Sequence, residues 1–172
     1  MSDAALAGRQ GFAALVAALV TGWALIGGLV LVAVIAMNVV SVIGGLVWKP
    51  FAGDFEMTQV GVAVAVFAFL PWCQLTRANV SADIFTMRAS PHWVARLGLV
   101  ASAVALVFAA LLLWRMSQGM ADQRAYGTTT TILQFPVWIA FVPVLVSLAL
   151  LALASLVTLF EDARAARRGA DG

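Results

Sequence analysis

Ionisable residues divide this chain into long apolar runs. Residues 10–48 contain no Asp, Glu, Lys or Arg over 39 positions. The same is true of residues 57–76 (20 positions), 97–114 (18) and 125–160 (36). A helix crossing a bilayer core needs roughly 20 apolar residues. Four runs therefore predict four transmembrane helices. The first run is too long for one straight crossing, because at about 1.5 Å per residue it would make a rod near 58 Å. The expected spans are 14–38, 57–75, 94–116 and 135–160, in one domain over residues 1–172. Residues 39–48 are expected to form an outer turn or interfacial segment, with Gly44, Gly45 and Pro50 marking the break. Pro71 falls near the end of the second span and Pro136 suits a helix start. Residues 126–131, with four consecutive threonines, predict an exposed loop.

Stretches such as 103–114 are apolar on all sides. A membrane barrel needs alternating apolar and polar positions instead, so the fold class is all-α. Composition agrees. Hydrophobic residues make up 63% and charged residues 10% of the 172 residues, where soluble domains have about 45–50% and about 25%. A soluble enzyme, a disordered tail and a nucleic-acid-binding domain are excluded as readings.

The remaining charges set an expected topology, because Lys and Arg accumulate on the cytoplasmic side. Arg9, the second-loop residues Arg77, Arg88 and Arg96, and the tail residues Arg164, Arg167 and Arg168 fall on one side. Lys49, Arg115 and Arg124 fall on the other. Both termini are thus expected in the cytoplasm, with the first span as an uncleaved signal anchor. The net charge of +2 follows from this bias and calls for no nucleic-acid partner. Trp48, Trp72, Trp93, Trp114 and Trp138 lie near predicted span ends, where indole favours the headgroups. Trp23 lies inside the first span and is expected to contact another helix or lipid.

Transport chemistry usually leaves ionisable groups at membrane depth. None lies in the middle of a predicted span, so an autonomous ion-coupled transporter is disfavoured. His92 stands alone beside Pro91, too few ligands for a metal site. Cys73 has no neighbouring base and reads as a small apolar residue. Thr21, Asn38, Ser41, Gln59 and Gln74 are polar groups at or near membrane depth, suited to bonding neighbouring helices. Small residues share a face at Ala14, Ala18 and Gly22 and again at Ala101, Ala105 and Ala109, which would permit close helix approach.

The second loop begins Gln74-Leu-Thr-Arg77-Ala-Asn79-Val80-Ser-Ala82-Asp83-Ile84-Phe85. Arg77 can snorkel to headgroups or cap the carbonyls of the second span. Asp83 can cap a following short interfacial helix with an apolar side of Ile84, Phe85 and Met87. This pattern resembles the small membrane subunit of tripartite ATP-independent periplasmic (TRAP) transporters, the DctQ-like family. The matching residues are Arg77, Asn79, Val80, Ala82 and Asp83, with shorter spacing after the arginine and Asn79 where many members have His. The first loop, Lys49-Pro50-Phe51-Ala-Gly53-Asp54-Phe-Glu56, resembles the family's short loop ending in an acid.

The resemblance implies a three-part machine in a bacterial inner membrane. A periplasmic binding protein captures an organic anion, often a carboxylate. A large permease subunit moves it inward with sodium, so no cofactor or sodium site is expected in this chain. The small subunit then acts as a scaffold for the large one, surrounded by membrane lipids. Gln74, Arg77, Asn79 and Asp83 are expected in cytoplasmic-side structure or subunit contact. Lys49, Asp54, Glu56, Asp122 and Arg124 are expected in outward loops, where they could dock the binding protein through complementary charge. Two other readings are a small four-helix membrane enzyme and the small subunit of an unrelated tripartite carboxylate transporter. The enzyme would need charged residues converging inside the bundle, and the sequence offers none there.

Overall fold

The structure, a computed structural model, describes residues 11–47, 49, 51–77 and 91–168, without the side chains of 91–96, 165, 166 and 168. The described residues form four helices: α1 (Phe12–Val47), α2 (Asp54–Leu75), α3 (Pro91–Ala125) and α4 (Val137–Arg168). All four are long and apolar enough to cross a membrane. In hydrocarbon every backbone polar group needs an internal partner, and a helix supplies it within one segment. The chain is an all-α, multi-pass membrane protein.

Helix α1 corrects the expected break at Gly44 and Gly45, and residues 39–47 are helix rather than a turn. It runs unbroken through Gly44 and Gly45 to Val47. Glycine costs about 1 kcal/mol per residue inside a helix, a weak preference that structural context overrides here. A turn at residues 52–53 leads into α2. Gly53 has φ +83°, and a Cβ there would lie 2.5 Å from Leu133 Cγ. Glycine is thus required both by the backbone and by the close approach of the other loop. Asp54 and Glu56 follow in the first turn of α2, where carboxylates favour the positive end of the helix dipole.

Helices α3 and α4 run beyond their uncharged stretches, α3 at both ends and α4 at its C-terminal end. Helix α3 continues past Met116 to Ala125 and closes with a Schellman motif. Gly127 takes φ +59°, Thr128 N–H donates to Gln123 O (3.2 Å) and Gly127 N–H to Arg124 O (3.3 Å). Residues 126–136 form a folded hairpin with a bridge between Thr129 and Pro136. Thr130 N–H donates to Phe135 O at 2.9 Å and Val137 N–H to Thr128 O at 3.0 Å. Residues 126–129 and 131 are exposed, Thr130 only partly.

The start of α1 meets the end of α2 and the second half of α4. Val16, Ala17, Val20, Leu75, Ala154 and Val157 form one buried cluster, with Trp72 and Leu150 against it. Successive helices therefore alternate in direction. The start of α1 and the end of α4 share one end of the bundle, called here the terminal end, and residues 51–53 and 126–136 lie at the far end. The arrangement is open. Helix α3 packs along α4, α4 along α2, and α2 along α1, while α3 makes no comparable contact with α1 or α2.

The small residues that bring α1 and α2 together are not those on the expected Ala14, Ala18 and Gly22 face. A Cβ on Gly27 would lie 2.6 Å from Ala68 Cβ, and one on Gly61 would lie 2.3 Å from Val34 Cγ2. Gly22 faces open space. In α3, Ala109 is fully buried but Ala101 is exposed. Trp23, inside α1, donates to Ser147 Oγ of α4 at 2.8 Å.

Candidate functional site

Polar side chains gather at the two ends of the bundle. At the terminal end, Gln74 Nε2 donates to Thr158 Oγ1 at 3.2 Å, joining α2 to α4. Both residues are buried. Three residues on, Arg77 takes a left-handed φ of +55°, which costs a non-glycine residue roughly 1–2 kcal/mol. That turn ends α2 and sends the guanidinium to Asp162 of α4, with which it forms a salt bridge. Asp162 also accepts a hydrogen bond from Ser102 Oγ of α3. One buried carboxylate thus ties three helices. Its side chain is 6% exposed and that of Arg77 53%. Burying a carboxylate is costly unless it is paired and hydrogen-bonded, and here both conditions are met.

The expected site residues Gln74 and Arg77 therefore belong to this clasp. Asn79 and Asp83, and the expected interfacial helix of the second loop, lie outside the described residues. So do Arg9, Arg88 and the side chains of His92 and Trp93. Asp162, Thr158 and Ser102 were not anticipated from sequence. A signal existed: Ser147, Ser155, Thr158 and Asp162 recur at helical spacing along α4 and are all buried. They form a polar stripe facing inward on a helix otherwise rich in leucine and alanine.

At the far end, the first loop and the start of α2 are bound to α1. Ser41 Oγ donates to Asp54 Oδ2 at 2.5 Å and accepts Phe51 N–H at 3.2 Å. Asp54 Oδ1 accepts Phe55 N–H at 2.7 Å. One turn deeper, Asn38 Nδ2 donates to Thr58 Oγ1 and to Val34 O, each at 2.8 Å. Glu56 reaches across to the α3–α4 hairpin, where its two oxygens accept the backbone N–H groups of Ile132 (2.8 Å) and Leu133 (3.0 Å). Arg124 lies over the Trp138 ring, 5.4 Å from its centroid, within cation–π range.

Of the five residues expected at an outward docking rim, Asp54, Glu56 and Arg124 thus make internal contacts. Lys49 and Asp122 present exposed side chains. Among the described residues, no three His, Cys, Asp or Glu side chains come together to hold a metal. What the arrangement does chemically is bracing: carboxylates at both ends bind one helix to another.

A family model described as tripartite ATP-independent periplasmic transporters, DctQ component, matches residues 31–165. No curated protein and no solved structure gives a significant match. The matched region begins within α1, takes in all of α2 and α3 and runs to the last turns of α4, including Asp54, Glu56, Arg77 and Asp162, and the chain belongs to the DctQ component family of these transporters.

Proposed function

We propose that this chain is the small membrane subunit that holds the large permease subunit of a TRAP transporter in place. In this reading the transporter takes up an organic anion, of the carboxylate class, delivered by a periplasmic binding protein and driven by sodium. Both termini face the cytoplasm of a bacterial cell, so the terminal end with Arg77, Arg164 and Arg167 lies inside and the two loops of the far end lie outside. The excess of arginine at the terminal end supports that orientation.

The observation that carries the scaffold role is the use made of the carboxylates. Asp162, Asp54 and Glu56 are bound to partners on other helices or loops of the same chain. Groups that bind and release a substrate or ion would instead converge on a shared cavity. Rigid bracing at both ends suits a subunit that stays still while another moves.

Purifying the tagged protein from native membranes in mild detergent, with mass spectrometry of what accompanies it, tests the proposal. A larger polytopic permease in stoichiometric amount is the expected result. A stable protein that purifies alone would overturn the subunit reading.

A further inference from the structure

We infer that the groove between α1 and α2 at the far end, together with the tip of α1 above it, seats a transmembrane helix of the large permease subunit. The inference rests on the subunit reading above and adds which face makes the contact.

The polar groups give the level of the membrane. Glu56 and Arg77 bracket α2 and are separated by about 32 Å at about 1.5 Å per residue. This matches a hydrocarbon core of about 30 Å. Ser41 is bonded to Asp54, so Ser41 marks the far boundary on α1. Helix α1 nevertheless continues to Val47, about 9 Å beyond that level. This projecting segment is apolar, with Leu46 84% and Val47 81% exposed. It stands beside Phe51 and Phe55, which are also exposed. Acyl chains end near the headgroups, so these residues stand at or above headgroup level, outside the hydrocarbon core. An apolar surface in that position favours a protein contact.

Below the tip lies the groove, about 490 Å³ in volume, lined by Leu31, Val34, Val39 and Ile43 of α1 and Thr58 and Val62 of α2. From Leu31 to Ile43 it extends about 18 Å along the helix axis, close to one leaflet. It borders the tight α1–α2 contact at Val34 and Gly61 and the Asn38–Thr58 bond. The contacts of α1 with α4 named above lie at or before Trp23, and those named for this half of α1 are with α2 and the loop before it. A third helix laid in the groove continues an existing helix–helix interface and rises past the membrane surface to cover Leu46 and Val47. The occupant is therefore an apolar helix longer than the bilayer core, with an apolar turn at its outer end.

The test uses the whole complex in native membranes. A photoreactive residue is placed at Val39, at Leu46 and, as a control, at Val107 on the exposed side of α3. The complex is irradiated, purified through the tagged small subunit and analysed by mass spectrometry. Adducts to the large subunit from positions 39 and 46, and not from 107, are expected. Leu46→Lys should lower the large subunit recovered several-fold while leaving the amount of the small subunit unchanged. If the large subunit co-purifies but only position 107 captures it, the face assignment is wrong and the subunit reading stands. Adducts at 39 and 46 to lipid alone, or to a second copy of this chain, overturn the inference in the same way. If no larger membrane protein co-purifies from unirradiated membranes, the subunit reading itself fails.

Discussion

Arg77, two residues past the end of α2, pairs with Asp162 inside α4, and the pair fastens the terminal end of the bundle. The arginine is half exposed and the aspartate buried, so the two partners are not equivalent. Among the described residues, removing Arg77 leaves the buried negative charge with Ser102 to serve it. Removing the charge of Asp162 leaves an arginine that water can solvate.

This asymmetry gives the first prediction. Arg77→Ala should destabilise the protein by about 1–3 kcal/mol, below the range for a fully buried broken pair because Arg77 is partly solvated. Asp162→Asn, which retains an acceptor for Ser102, should cost less. The double variant should be more stable than the sum of the two single losses predicts. Thermal unfolding of the four proteins in one detergent measures this, and strict additivity would remove the pair from the list of stabilising contacts.

At the far end, Glu56 holds the hairpin tip through the amides of Ile132 and Leu133. Glu56→Ala should increase hydrogen exchange at these two amides while leaving the interior of α2 protected. Glu56→Gln, which keeps one carbonyl acceptor, should give an intermediate effect. Equal exchange in all three proteins would show that the clasp does not restrain the hairpin.

The glycines of α1 and α2 should separate sharply by position. Gly27→Ala and Gly61→Ala each force a methyl into a neighbour at 2.6 and 2.3 Å, and each should cost about 1–3 kcal/mol. Gly22→Ala meets nothing within 4 Å and should be neutral in the isolated subunit. If all three variants unfold at the same temperature, the close approach of α1 and α2 is not what holds them.

The proposed docking of a binding protein can be probed cleanly only where the fold is not disturbed. Asp54 and Glu56 carry internal bonds, so reversing their charge would alter the far end itself. Lys49 and Asp122 are exposed. Lys49→Glu and Asp122→Lys together should slow uptake at low concentrations of binding protein, with normal recovery of the large subunit. Unchanged uptake kinetics would discard the docking role of these two charges.

The class of the molecule and the spacing of its charged boundaries are legible in the residues alone. Runs without charge can only be helices in a bilayer, since no other open segment satisfies its own backbone. The run from Met57 to Thr76 and the helix Asp54–Leu75 agree for that reason. Helix ends were less legible. Gly44 and Gly45 read as a break, yet the helix continues through both to Val47, because a glycine's helix preference is weak enough for its context to override. Gln74 and Arg77 stood out because polar residues are rare here. Their partners Thr158 and Asp162, more than 80 positions away, did not. Only the tertiary structure brought them together, because pairing depends on which faces of α2 and α4 meet. Periodicity cannot show this when helices are apolar all round. The same holds for Gly27 and Gly61: a glycine's role at a contact is set by the neighbour it makes room for, and that neighbour lies on another helix.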